Sequence, residues 1–357
     1  MDDWVKKHIS VYSTLILSLC YCHFISSRFP IGFFRLISLL PIFYLFTILP
    51  LFLPSVFFTA VLAFFITWLA NFKLILFAFG QGPLSSDQSS KSLHIFITSA
   101  ALPIRTKLKN YPSSQLQSKS TKKIPIINNL GTEILASAIL IAVLVDYKDK
   151  LHPRILLLAY CCLVFLLVDC LVASSSFLVR ALVGLELEPP SDEPYLSTSL
   201  QEFWGKRWNL TVTNTLRQTV YKPVRSASAA VLGGELAPLP AVLAAFLVSG
   251  LMHELLFYYV TRAKPSWEMT SFFVLHGICV VLEFGMKKAL NGRLNLPWFV
   301  SGPLTVGFVV VTSFWLFFPP LIRNGADAVV FEEFRCFGER VRNWMMTRVD
   351  GNVGFRQ

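Results

Sequence analysis

The stretch "LAPLPAVLAAFLVSGLMHELLFYYV", residues 236–260, exceeds the roughly 20 apolar residues that cross a bilayer, yet it places His253 and Glu254 side by side within the run. Ionisable residues inside a membrane are costly, so they usually face the bundle interior and act there. Neighbouring positions on a helix lie about 100° apart, so the two side chains do not share a face. Glu254 is therefore expected to cap a neighbouring helix or to reach the interface. His253 is either a hydrogen-bonded packing residue or a functional one.

Seven further apolar runs surround this one: 8–25, 35–53, 55–79, 130–145, 154–173, 271–286 and 296–319. None shows the period-2 alternation of a barrel strand, so the expectation is an all-α polytopic integral membrane helical bundle of about eight transmembrane helices. Composition agrees. The chain of 357 residues is 54% hydrophobic and only 15% charged, with 32 phenylalanines. Its mean hydropathy is +0.58. A soluble domain carries about 25% charged residues. The first run follows Lys6 and Lys7 and shows no convincing small-residue cleavage site, so it reads as a retained signal anchor.

One integral domain, 1–357, is expected, with three polar regions. Residues 80–129 carry Lys91, Arg105, Lys107, Lys109, Lys119, Lys122 and Lys123 against one acid, Asp87, and form a basic cytosolic loop. Within it "LHIFITSAALPI", 93–104, could dip into the interface. Residues 174–235 form a long connection with a Pro-rich acidic centre, followed by "QEFWGKRWNLTVTNTLRQTVYKPVRSAS" at 201–228. There Phe203, Trp204, Trp208 and Tyr221 alternate with Lys206, Arg207, Arg217, Lys222 and Arg225, and no acid follows Glu202 until Glu235. Such a segment either rests on anionic lipid or binds phosphates. Residues 330–357 are a basic tail, with Phe331, Phe334, Val341, Trp344 and Met345 at near-helical spacing. They read as an amphipathic helix at the interface.

Several chemistries are absent. His253 is followed by "ELLF" and not by the E-x-x-H of a zinc protease; no histidine heads an H-x-x-x-D motif, and neither G-x-S-x-G nor G-x-x-x-x-G-K-[ST] occurs. Six of the seven cysteines sit in apolar runs, where they behave as small hydrophobes, and no C-x-x-C pair suggests a metal.

"FWGKRWNL" at 203–210, followed by an intramembrane histidine in "LVSGLMHELLFYY", resembles the membrane-bound O-acyltransferase superfamily, and within it the plant wax synthase family. "SLCYCHFI", "RLISLLPIFYLF", "TWLANFKLILFAFGQGPL" and "SFFVLHGICVVLEF" extend the resemblance over most of the chain. It implies that Asn209, ending the aromatic motif, and His253 are the catalytic pair. Lys206 and Arg207 depart from related acyltransferases, which have Asp and Trp there.

The implied reaction joins a fatty acyl-CoA and a long-chain fatty alcohol into a wax ester and CoA in the endoplasmic reticulum membrane, with no cofactor or metal. Neutral His253 would take the hydroxyl proton, a contribution of roughly 10²–10⁴ in rate. Asn209 would hold an oxygen near the developing oxyanion or fix the imidazole tautomer. Candidate substrate-binding residues are Trp204, Lys206, Arg207, Trp208, Arg217, Lys222, Arg225, His276 and Glu283. Arg217, Lys222 and Arg225 suit CoA phosphates. His276, two turns from Glu283 on one helix face, is either part of a structural polar network or the second wall of the cavity. The partners implied are the two substrates and membrane lipid, with no nucleic acid. Rival readings are the same machinery acting on a sterol, a transporter with a His253–Glu254 proton relay, and a non-catalytic lipid-binding scaffold.

Overall fold

The structure, a computed structural model, describes residues 2–87, 92–105, 126–184, 187–290 and 296–353. Most of the 80–129 stretch, with Lys91, Lys107, Lys109, Lys119, Lys122 and Lys123, has side chains outside the described residues. Eight helical spans are long and apolar enough to cross a membrane: Asp3–Arg28, Phe33–Phe52, Val56–Ala78, Leu130–Lys150, Pro153–Ala181, Pro238–Thr261, Glu268–Ala289 and Trp298–Arg323. Each of the eight expected runs falls on one of them. The reason is physical: in lipid a segment must satisfy its own backbone, so long apolar runs become helices.

The helices that position the site are α1 (Asp2–Phe24), α2 (Phe33–Ile48), α3 (Val56–Leu62), α4 (Asn71–Ala78), α5 (Leu93–Ala101), α6 (Ile126–Tyr147) and α7 (Pro153–Val183). They are followed by α8 (Leu210–Leu216), α9 (Lys222–Leu236), α10 (Pro238–Thr261), α11 (Glu268–Ala289), α12 (Trp298–Thr312), α13 (Phe318–Arg323) and α14 (Ala326–Val353). Among the described residues four π-helical stretches interrupt this series: Ala63–Ala70, Phe203–Arg207, Arg217–Tyr221 and Ser313–Phe317. The wider turn re-aims side chains, and such segments are frequent at functional sites.

Two glycines let α10 and α11 approach closely. A Cβ at Gly277 would lie 2.8 Å from Phe246 Cβ, and one at Gly250 would lie 3.0 Å from the Thr270 Cα. Small residues at such crossings are how membrane helices gain packing without a hydrophobic drive between them. Glu254 then ties the pair. Its buried carboxylate accepts from the Trp267 and Thr270 N–H groups, at 2.8 and 3.2 Å, and from the Thr270 hydroxyl. These are orphan donors at the α11 N-terminus, where a negative charge is favoured. Of the two expectations for Glu254, the cap to a neighbouring helix is the one observed.

Three polar regions differ from expectation. The 93–104 piece is a packed helix and not a loop: α5 packs against the protein, with Phe96 and Ala100 buried and Lys73 capping its C-terminal end through the Ser99 and Leu102 carbonyls at 2.7 and 2.6 Å. The 174–235 connection is largely helical. Its start extends α7, and its end carries α8 and α9, the latter broken at Gly233 with φ 76°. The tail helix α14 is only partly a surface element. Phe331 is buried and stacks on Tyr160 at 5.8 Å, and Phe334 meets Phe57 at 5.2 Å. Glu333 caps α3 by accepting from the Val56 and Phe57 N–H groups at 2.7 and 3.0 Å. Val341, Trp344 and Met345 are exposed.

Candidate active site

Residues 199–217 form the motif segment. Ser199 caps a helical turn at Leu200–Glu202, and Glu283 on α11 accepts from the Gln201 N–H at 3.2 Å. The Glu202 carboxylate then accepts from the Thr198 N–H and from Arg207 Nε, both at 2.9 Å. Burial would raise the Glu202 carboxyl, but the Thr198 N–H, Arg207 and the Thr198 hydroxyl together hold it below the ordinary carboxylate value. Arg207 also donates to the Asp192 carbonyl at 3.0 Å, so its fork is spent inside the segment. Trp208 stacks on Phe203, with ring planes 9° apart. Lys206, Arg217, Lys222 and Arg225 point to the exterior.

Alongside buried Phe203, the segment sends Trp204 inward. Its indole N–H donates to His276 Nδ1 at 3.0 Å, and its ring meets Phe246, Phe272 and Phe273. His276 is fully buried, and its Nε2 lies 2.9 Å from the Thr312 hydroxyl. That hydroxyl donates to the Phe308 carbonyl at 2.7 Å, so it accepts from His276. An indole can only donate. His276 is therefore a neutral Nε2–H imidazole with both nitrogens occupied. A proton on Nδ1 would face the Trp204 N–H. Glu283, by contrast, pairs with Lys287 and not with His276.

His253 on α10 differs. Its Nδ1 lies 2.7 Å from the Ser249 carbonyl, an acceptor only, so Nδ1 carries the proton. Nε2 holds a lone pair and has no hydrogen bond among the described residues. The imidazole stacks on Phe273 at 4.1 Å and meets Trp68 at 4.9 Å and Phe317 at 5.9 Å. Phe273 also touches Trp204, so the two histidines share one aromatic wall. Trp68, Trp204 and Phe317 each come from a different π-helical stretch.

Asn209 lies at the other end of the motif. It adopts φ 34° and caps α8, with Oδ1 accepting from the Val212 N–H at 3.2 Å. Its neighbours in a small pocket include Asp169, Ser191 and Trp208. The described contacts join it to neither histidine, and the tautomer-setting role considered for it falls instead to Ser249. The structure thus brings Trp204 and His276 to the wall shared with His253, and places Asn209 and the exposed cations elsewhere. Trp68, Ser249, Phe273, Thr312 and Phe317 were not singled out from sequence. An aromatic, a serine or a threonine in an apolar run carries no signal of its own; Trp68 and Phe317 are set apart by their π-helical stretches, and the others by contacts that only the fold creates.

Comparison with known proteins bears on the family. Residues 187–275, which span the motif segment, α8, α9, α10 and the start of α11, match the model of the membrane bound O-acyl transferase family. The chain is 40% identical over 334 residues to acyl-CoA–sterol O-acyltransferase 1 of Arabidopsis thaliana, covering 94% of this chain and 96% of the relative. It is 42% identical over 338 residues to the long-chain-alcohol O-fatty-acyltransferase of Simmondsia chinensis, covering 94% and 95%. It is 42% identical over 348 residues to probable long-chain-alcohol O-fatty-acyltransferase 3 of Arabidopsis thaliana, covering 94% and 96%. With eight apolar spans and two histidines facing one aromatic wall, this multi-pass membrane protein belongs to the membrane bound O-acyl transferase family.

Proposed function

We propose that this protein transfers a fatty acyl group from acyl-CoA to a long-chain alcohol, forming a wax ester and CoA, with His253 as general base. The supporting observation is the difference between the histidines: Nε2 of His253 keeps a free lone pair, while His276 has both nitrogens engaged. The alcohol oxygen attacks the thioester carbonyl carbon as Nε2 takes its proton. The carbon–sulfur bond then breaks, and the CoA thiolate recovers that proton from the imidazolium. The aromatic surroundings suit two alkyl chains entering from lipid. The reaction as written calls for no metal or cofactor.

Asn209 is a positioning residue in this scheme. Its cap and left-handed backbone hold the turn from which Trp204 reaches His276. Exposed Arg217, Lys222 and Arg225 meet the CoA phosphates on the cytosolic face of the endoplasmic reticulum. Several relatives carry the long-chain-alcohol name, which favours an alkyl alcohol over the sterol acceptor named for the first Arabidopsis relative. The test is expression in yeast lacking its own neutral-lipid acyltransferases, fed a fatty alcohol. Wax esters in the lipid extract support this reading. Sterol esters alone move the acceptor to a sterol, and neither product revives the transporter or scaffold.

A further inference from the structure

We propose that Trp68 donates its indole N–H to the thioester carbonyl oxygen during acyl transfer; this rests on the reading of His253 as the base. Trp68 is 3% exposed, and its Nε1 is buried with no hydrogen-bond partner among the described residues. A buried indole N–H usually finds an acceptor, and inside a bilayer no bulk water supplies one. A group left unpaired in this way calls for an explanation. Here the reaction offers one, because the ring lies T-shaped against the His253 imidazole at 4.9 Å and 81°.

The neighbouring polar groups do not take up the N–H. The Thr67 hydroxyl donates to the Phe46 carbonyl at 2.6 Å, and Asn71 Nδ2 donates to the Thr67 carbonyl at 3.0 Å. Asn71 Oδ1 is itself buried and unpaired. Beside the indole, Thr67, Met252, Leu255 and Leu256 line a mostly apolar crevice of about 10 Å³. The π-helical stretch Ala63–Ala70 aims Trp68 at α10, so a base and a donor stand side by side on two helices.

The alcohol oxygen bonds to the carbonyl carbon while its proton moves to His253 Nε2. The carbonyl π pair moves onto oxygen, where the Trp68 N–H stabilises it. As the carbonyl re-forms, the carbon–sulfur bond breaks, and the CoA thiolate takes the proton from the imidazolium. Trp68 gives up no proton and serves only as a preorganised donor.

The test uses the full-length protein in nanodiscs with palmitoyl-CoA and hexadecanol. Trp68→Phe, and the indole isostere benzothienylalanine placed at position 68, remove the donor; the isostere also keeps the shape. Both are expected to lower kcat by about 10²–10³, the usual effect of losing one such donor, with KM for either substrate within about twofold. In the isostere, thermal stability should be unchanged or higher, since an unpaired buried donor is gone with the shape kept, whereas Trp68→Phe also carries the cost of a smaller side chain. A kcat within about threefold of wild type for the isostere overturns the proposal. So does a stability loss in Trp68→Phe that Asn71→Leu relieves, which would assign the N–H to a water bridge with Asn71. His253→Ala is measured alongside: if it keeps turnover, the base assignment fails, whereas a dead His253 variant beside a fully active isostere sinks the Trp68 role alone.

Discussion

Gly277→Ala tests whether the α10–α11 crossing sets the catalytic geometry. The added Cβ would sit 2.8 Å from Phe246 Cβ and 3.0 Å from its Cγ, ~0.6 Å short of the 3.4 Å at which ordinary contact begins. Phe246 packs on Trp204 and sits two turns before His253 on the same helix. Relief must therefore come from sliding the helices apart. Overpacking of this kind costs about 1–3 kcal/mol. A misplacement of about 1 Å costs roughly 10² in rate, so ~0.6 Å predicts a loss of about tenfold. Thermal unfolding in detergent and ester formation under saturating substrates report the two quantities. Gly285→Ala on the same helix meets open space and serves as the control; it should be neutral or stabilising by up to about 1 kcal/mol. Wild-type turnover and stability in Gly277→Ala would refute the reasoning, because the close approach would then be dispensable.

Four other outcomes are expected. Asn209→Gly should keep most activity, since glycine accepts φ 34° and caps at a cost of a few tenths of a kcal/mol, while Asn209→Ala should lose about 1 kcal/mol or more of stability with matching turnover. Equal, deep losses of kcat in both variants would make Asn209 a direct donor instead. His276→Leu strands the Trp204 N–H, so it should destabilise by about 1–3 kcal/mol yet retain measurable ester formation, and Trp204→Phe in the same background should restore part of the stability. The Glu202 carboxyl titrates below its ordinary value of 4.5, so its stabilisation is present above that pH and is lost as the pH falls through the folded-state value. Stability measured against pH should show this acid loss in wild type and a smaller one in Glu202→Gln. Arg217→Ala, Lys222→Ala and Arg225→Ala combined should raise the acyl-CoA KM more than the alcohol KM, and equal effects on both would return these cations to a lipid-surface role.

The spans were legible because the bilayer leaves an apolar run one choice, and hydropathy alone marked all eight. The capping role of Glu254 was legible as an alternative, from its angle to His253. The contents of the 174–235 connection were not, because its helices stand on capping by Ser199 and Asn209 and on packing by Trp204, none of which shows as an apolar run. Choosing between the two histidines from sequence required the family resemblance. What separates them physically is which partners reach each ring: Thr312 and Trp204 are remote from His276 in the chain but adjacent to it in space. Glu283 shares a helix with His276 at a favourable spacing, yet it turns to Gln201 of the motif segment and to Lys287 one turn along its own helix, and helix spacing alone does not say which neighbour a side chain takes.

The central claim is that His253 Nε2 takes the alcohol proton. Its most direct test is single-turnover ester formation by purified His253→Ala and His253→Gln, using radiolabelled palmitoyl-CoA and hexadecanol, with acyl-CoA binding and thermal stability measured on the same preparations. The account predicts a fall in the chemical step of roughly 10²–10⁴ with substrate binding and folding retained. A chemical step within a few fold of wild type in either folded variant would contradict it.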